Sequence, residues 1–229
     1  MEKPVKPAEF AENQLLNAIL SNQYSPGDAL PAERVLAQSL GVTRPTLREA
    51  LQRLAREGWI IISHGKASRV NDYLNNGGLA ILGTLARQGT GLSPQMVGHL
   101  LEVRASLLPD IAQKVADTRP DELISLIPEA GGLPGDPDRF SSLDWDLQMG
   151  MVKLSGNPVF AMIFNDFTPL YQTLGPVYFR GQKARDASQN YYRELKREMG
   201  SGEKNIAPIV ARAMDRSREI WREIRWEIQ

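Results

Sequence analysis

Two helix-forming runs in this 229-residue chain are joined through Leu40-Gly41-Val42-Thr43, and these four residues leave little freedom in how the runs can meet. Gly41 can take the left-handed conformation that ends a helix, Val42 tucks an apolar side chain inward, and Thr43 can cap the helix that follows. The upstream run covers residues 31–40. Pro31 suits its start, because a fixed φ and a missing N–H cost nothing in a first helical turn. The downstream run places Leu47, Leu51 and Leu54 on one face at steps of four and three, and Gly58 closes it. Before both, Phe10, Leu15, Leu16, Ile19 and Leu20 recur at helical spacing over residues 8–20. After them the period changes. Residues 59–63 form a β-rich run, His64-Gly65-Lys66 a tight turn, and residues 67–70 a short return strand. Three helices followed by a hairpin give a winged helix-turn-helix over residues 1–72.

Beyond Asp72 the character shifts: within NDYLNNGG (71–78), residues 73–78 read as a linker, and residues 79–229 show helical periodicity with no strand pattern. Helices are predicted at 79–88, 93–117, 120–130, 138–154, 158–174, 182–199 and 205–228, with Pro109 kinking the second. The expected fold is therefore mainly α: an N-terminal winged helix-turn-helix and a C-terminal all-α effector bundle of about seven helices.

Charge decides what the first part can bind. The chain has 27 basic and 27 acidic side chains, and neutrality alone speaks against nucleic acid. Within residues 31–70, however, seven bases (Arg34, Arg44, Arg48, Arg53, Arg56, Lys66 and Arg69) face three acids (Glu33, Glu49 and Glu57), a local charge of +4. Arg44 and Arg48 are one turn apart near the start of the third helix, with Thr43 and Thr46 beside them. A recognition helix places its base and phosphate contacts there. A guanidinium fork suits the O6/N7 edge of guanine, and threonine hydroxyls with helix-start N–H groups suit phosphates. The turn at His64-Gly65-Lys66 can reach an adjacent groove. A solvated arginine-rich helix face is the commoner meaning of such a pattern in general; the surrounding helix-turn-helix favours DNA.

Other chemistries are excluded or left unsupported. The absence of cysteine removes disulfides, thiol nucleophiles and thiolate metal sites and suits a reducing, cytoplasmic setting. MEKPVKPAEF lacks the apolar stretch of a secretory signal. No 18 apolar residues run together, so no spanning helix is expected. The terminal RSREIWREIRWEIQ alternates acids and bases, which marks a solvated helix face and not a membrane anchor. Asp144 and Asp146, two apart, point to different helix faces and read as solvent or capping acids instead of a catalytic pair. With no nucleophile–base pair or phosphate loop in view, no catalytic residue is assigned and no enzyme is expected.

ALPAERVLAQSLGVTRPTLREALQRLAREGWIIISHGKASRV resembles the DNA-binding domain of the GntR family of bacterial transcription regulators. The downstream segments LLEVRASLLPDIA, LDWDLQMGMVKLSGNPVF, PVYFRGQKAR and SREIW are similar to the family's fatty-acid-responsive members. The resemblance implies a repressor or activator of fatty-acid metabolism genes, binding palindromic double-stranded DNA as a homodimer in the cytoplasm, with no membrane contact. Carried over by position, it implies DNA contacts from Arg34, Thr43, Arg44, Pro45, Thr46, Arg48, His64, Gly65 and Lys66. Pro45 stands where a fatty-acid-responsive member has threonine, so a hydroxyl and an N–H are lost there, although many GntR relatives also carry proline.

The resemblance also bears on the effector. Most relatives with such a helical domain hold a divalent metal through an aspartate and three histidines, and bind small carboxylates through it. In the helical half His99 is the single histidine, and the relatives' Asp-x-x-Phe-His reads Asp144-Trp145-Asp146-Leu147-Gln148. An amide replaces the ligating imidazole, so neither metal nor cofactor is expected, and His99 reads as a surface or hydrogen-bonded residue. The resemblance then implies long-chain acyl-CoA as effector, bound by Arg104, Tyr178, Ser217 and Trp221. By residue type alone each has a plainer reading: Arg104 paired to Glu102 or Asp110, Tyr178 in the core, Trp221 on the packing face of the last helix. Met214 and Arg216 stand where a similar member has glycine and glutamate, changes that add bulk and positive charge beside Ser217. The alternative left open is a regulator answering another metabolite, such as a small carboxylate.

Overall fold

The structure is a computed structural model that describes residues 6–63, 65–88, 93–129, 132–202 and 204–224. Among these the chain forms eleven helices and one two-stranded hairpin, divided into two compact units, Met1–Leu85 and Ala86–Gln229.

In the first unit, α1 (Pro7–Leu20) buries Ala8, Ala11, Leu15, Leu16 and Ile19 against α3. Helix α2 (Glu33–Ser39) leads through Gly41, at φ 67°, into α3 (Arg44–Glu57). Thr43 caps α3 by accepting from the Thr46 N–H at 3.3 Å, and Gly58 ends it at φ 92°. Both glycines take the backbone region that side chains with a Cβ resist. Leu47, Ala50, Leu51 and Leu54 are buried, as their spacing predicts. The wing is shorter than predicted: β1 (Ile60–Ile61) pairs antiparallel with β2 (Arg69–Val70), Ile60 opposite Val70. A third arm, unread from sequence, supports it. Residues 27–30 run alongside β2, with Gly27 N–H donating to Val70 O at 2.9 Å and Leu30 N–H to Ser68 O at 2.8 Å.

The stretch predicted as linker holds a one-turn helix, α4 (Tyr73–Asn76), whose Tyr73 ring lies 4.7 Å from that of the fully buried Trp59. The compact first unit runs on to Leu85, later than the 78/79 division read from sequence. The reason is local packing: in α5 (Ala80–Gln88), Ile81 lies against Gly58, and Thr84 donates to Glu57 Oε2 at 2.7 Å.

The second unit is all helical: α6 (Pro94–Thr118), α7 (Pro120–Leu126), α8 (Pro137–Leu154), α9 (Pro158–Arg180), α10 (Gln182–Met199) and α11 (Ala207–Ile224). Its main packings are α8 on α9 and α6 on α11, with α10 against α11. Gln113 in α6 fastens the start of α11, its Oε1 accepting from the N–H groups of Ile206 and Ala207 at 2.9 and 3.1 Å. Helix α7 stops four residues short of the predicted end, at an Ile127 with extended backbone. Helix α9 does the reverse. Gly175-Pro176 reads as a stop, yet the helix continues through Pro169 and Pro176 to Arg180. Burial of Leu170 and Phe179 on either side outweighs one lost backbone hydrogen bond per proline, and Gly175 lets α9 approach α8 closely. A Cβ there would sit 2.0 Å from Ser141 Oγ. Helix α6 likewise runs through Pro109. No described helix is long and apolar enough to cross a membrane. The end predicted for the last helix lies partly outside the described residues.

Candidate functional site

The two units carry separate sites. On the first, most of the predicted DNA-contacting residues stand at or near the start of α3, where Arg44 and Arg48 both lie beside Glu33. Arg34 projects from α2; Arg44, Pro45 and Arg48 are exposed on α3, and Thr46 is half-buried. The Thr43 and Thr46 hydroxyls lie 2.8 Å apart, so the cap that starts the helix also holds both hydroxyls at its end. Gly65, at φ 72°, and exposed Lys66 form the wing turn, closed by the Lys66 N–H to Ser63 O at 3.2 Å. His64 lies outside the described residues. Two bases counted in the +4 segment are committed to structure instead. Arg53 is held by Glu49 at 2.6 Å and Glu12 at 3.3 Å, which raise its pKa, and Arg69 donates to Gly27 O at 2.9 Å.

The second unit contains a cavity of about 400 Å³. It is walled mainly by apolar side chains of α6, α8, α9, α10 and α11. All four ligand residues predicted from sequence line it: Arg104 from α6, Tyr178 from α9, Ser217 and Trp221 from α11. Residues distant in sequence come together because α6 packs on α11 and the Tyr178 ring of α9 lies beside that of Trp221. The buried Arg104 does not pair with Glu102 or Asp110. Its terminal nitrogen donates to Ser217 Oγ at 2.5 Å, and that hydroxyl donates to Met214 O at 2.8 Å. The Tyr178 and Trp221 rings lie 6.4 Å apart. Met214 and Arg216 also face the cavity, so the added bulk and charge act on it directly.

Asp144 corrects the sequence reading. It is 6% exposed and no solvent or capping acid: Gln148 Nε2 donates to its Oδ2 at 2.6 Å, the Tyr171 hydroxyl also donates to Oδ2, and the Tyr192 hydroxyl donates to Oδ1. Asp146 is exposed, as expected. Polar groups from three helices, α8, α9 and α10, thus converge on one carboxyl at the cavity wall. A signal for it existed. Phe140, Asp144, Leu147, Gln148 and Met151 share one helical stripe, so Asp144 falls on the buried face of α8. The Gln148 amide that replaces an expected imidazole turns its N–H toward Asp144, and among the described residues no group of three or more His, Cys, Asp and Glu is placed to hold a metal ion. His99 is exposed on α6.

Three buried donors at the cavity, Arg104 Nε, Tyr191 OH and Trp221 Nε1, have no hydrogen-bond partner among the described residues. Such groups are rare, because an unpaired buried donor loses its hydration without return. Burial also pushes the hydroxyl pKa of Tyr171, Tyr178, Tyr191 and Tyr192 upward, with Asp144 adding to each and Arg104 opposing for all but Tyr192. These hydroxyls are thus held neutral. Because their pKa is higher folded than unfolded, their stabilisation is complete below the ordinary tyrosine value of about 10 and is lost as pH rises beyond it. The melting temperature should fall steeply as pH rises above about 10. A flat profile there, or ionisation of these four hydroxyls near pH 10 in the folded protein, would contradict this.

Comparison with known proteins agrees with both halves. Residues 7–70 match the family model "Bacterial regulatory proteins, gntR family", and residues 71–229 match "FadR C-terminal domain". The chain is 37% identical over 220 residues to the fatty acid metabolism regulator protein of Klebsiella pneumoniae, covering 96% of this chain and 92% of that one. The same identity and coverage hold for the protein of that name in Escherichia coli O1:K1 / APEC. A solved structure of Lar, which controls expression of the Listeria monocytogenes agr system, superposes with a TM-score of 0.61 at 16% identity, covering 99% of this chain and 98% of that one, and shares the fold.

Proposed function

The chain belongs to the GntR family of bacterial regulatory proteins and carries a FadR C-terminal domain, and on that premise we propose how its two sites work together in a regulator whose effector is a long-chain acyl-CoA. It is a DNA-binding transcription regulator of fatty-acid metabolism. The effector reading rests on one observation above others: a mainly apolar cavity whose described wall presents three unpartnered buried donors beside the Arg104–Ser217 pair. An acyl chain suits the apolar wall. Thioester and amide oxygens supply the acceptors that Arg104, Tyr191 and Trp221 lack, and Arg216 at the rim suits a phosphate. The volume falls within the usual range for ligand sites, about 300–1,000 Å³.

In the first unit Arg34, Arg44 and Arg48, with Thr43, Pro45, Thr46 and the wing residues His64, Gly65 and Lys66, form the DNA-reading set. One such face covers a half-site, so a cytoplasmic homodimer reading a palindrome is the working form. Acyl-CoA would favour a bundle conformation in which the two recognition helices no longer match the operator spacing, a population shift driven by the ligand's differential affinity. The protein needs no metal or cofactor for this. Micromolar oleoyl-CoA should release a palindromic promoter duplex in a fluorescence anisotropy titration. Unchanged DNA affinity would reject the effector, and calorimetric binding of short acids with added metal in its place would favour a carboxylate sensor.

A further inference from the structure

Two arginines of the reading face answer to one acid that the DNA-contacting set does not include. Glu33 stands at the start of α2, and its Oε2 accepts from Arg48 Nε at 2.8 Å and lies 3.9 Å from an Arg44 terminal nitrogen. We infer that Glu33 is a positioning residue for DNA reading, holding Arg48 by its Nε so that the two terminal nitrogens face outward as a fork.

A guanidinium can meet a flat acceptor pair along its Nε side or end-on through its two terminal nitrogens. Glu33 takes the Nε side. The end-on fork is left, and it matches the O6/N7 edge of guanine. The Arg48 side chain remains 59% exposed while so held, so the fork is presented to solvent, where a groove would lie. Arg53 shows the contrast: Glu12 and Glu49 occupy its terminal nitrogens, and its fork is closed. Holding a long side chain in advance removes part of the ordering cost of binding. The same acid places negative charge beside the phosphates, which weakens sequence-independent attraction. Glu33 therefore acts in opposite directions on specific and non-specific binding, which is how discrimination is raised. An exposed ion pair adds little to folding stability, so its effect belongs to DNA reading.

This rests on the proposal that Arg48 contacts bases, and the test separates the two. The probes are a duplex enriched from a random pool by the unaltered protein and an unrelated duplex of equal length. Glu33→Gln should lower affinity for the enriched duplex about tenfold, the scale of one bidentate base contact, without weakening binding to the unrelated one. Glu33→Asp, which keeps the charge but shortens the reach, should lose the specific affinity without any non-specific gain. In an Arg48→Ala background, Glu33→Gln should change the ratio of the two affinities far less. Equal proportional losses on both duplexes, an unchanged ratio, or the same effect with Arg48 absent would overturn the inference. If Arg48→Ala itself keeps full sequence preference, the base-contact reading has failed first. If it loses preference while both Glu33 variants keep theirs, only the positioning role has failed.

Discussion

Replacing Asp144 by alanine should destabilise the helical unit by about 3–5 kcal/mol, since a buried donor left without its acceptor costs roughly 1–3 kcal/mol. Three donors are affected: the hydroxyls of Tyr171 and Tyr192 and the amide of Gln148. Tyr192 and Gln148 are almost wholly buried and cannot turn to solvent, while Tyr171 lines the cavity and can be partly rehydrated. Asp144→Asn should lose less, because one amide oxygen still accepts while its NH₂ faces a donor. Calorimetric melting of the whole protein would show the effect in the transition of the helical unit, with the transition of the first unit unshifted. A loss below about 1 kcal/mol for alanine, the size of an ordinary exposed substitution, would mean that the convergence on Asp144 contributes little. The outcome matters for function as well as for folding. The same carboxyl fixes Tyr171, one of the aromatic rings lining the cavity, so a softened hub should also blunt the proposed response to acyl-CoA.

Arg48→Ala should weaken binding to the operator about 10- to 100-fold, the discrimination of a good bidentate contact to a base. Acyl-CoA affinity should stay unchanged, because every described side chain lining the cavity belongs to the second unit and Arg48 to the first. Titration of both ligands on one preparation checks this. A parallel loss of DNA and acyl-CoA binding would show that the substitution had disturbed folding or that the two sites are not separate. Undiminished operator affinity would remove Arg48 from the reading set, and Arg44, which lies on the same face, would be the next to test.

What could be read from the chain alone follows the reach of its signals. The helix-turn-helix was legible because each part of it is local: Gly41 and Gly58 at positive φ, the Thr43 cap, and leucines at steps of four and three. The helices of the second half were mostly legible by period. The candidate ligand residues follow only from resemblance, since Arg104, Tyr178, Ser217 and Trp221 carry no local mark that separates them from core or surface. The failures also have a common cause. Gly175-Pro176 reads as a stop because propensity sees neither Leu170 and Phe179 being buried nor the close approach to Ser141. Asp144 reads as a surface acid because its partners lie 4, 27 and 48 residues away.

By itself, then, the sequence determined the elements, the basic reading face and the lack of histidines around the relatives' metal position. These depend on short-range backbone preferences and on composition. Only the tertiary structure decided which polar groups are buried together, which arginines are committed to Glu33, Glu12 and Glu49, and which donors face a cavity unpaired. Desolvation is a property of the assembled core, and no spacing within one helix specifies what a distant helix will bring against it.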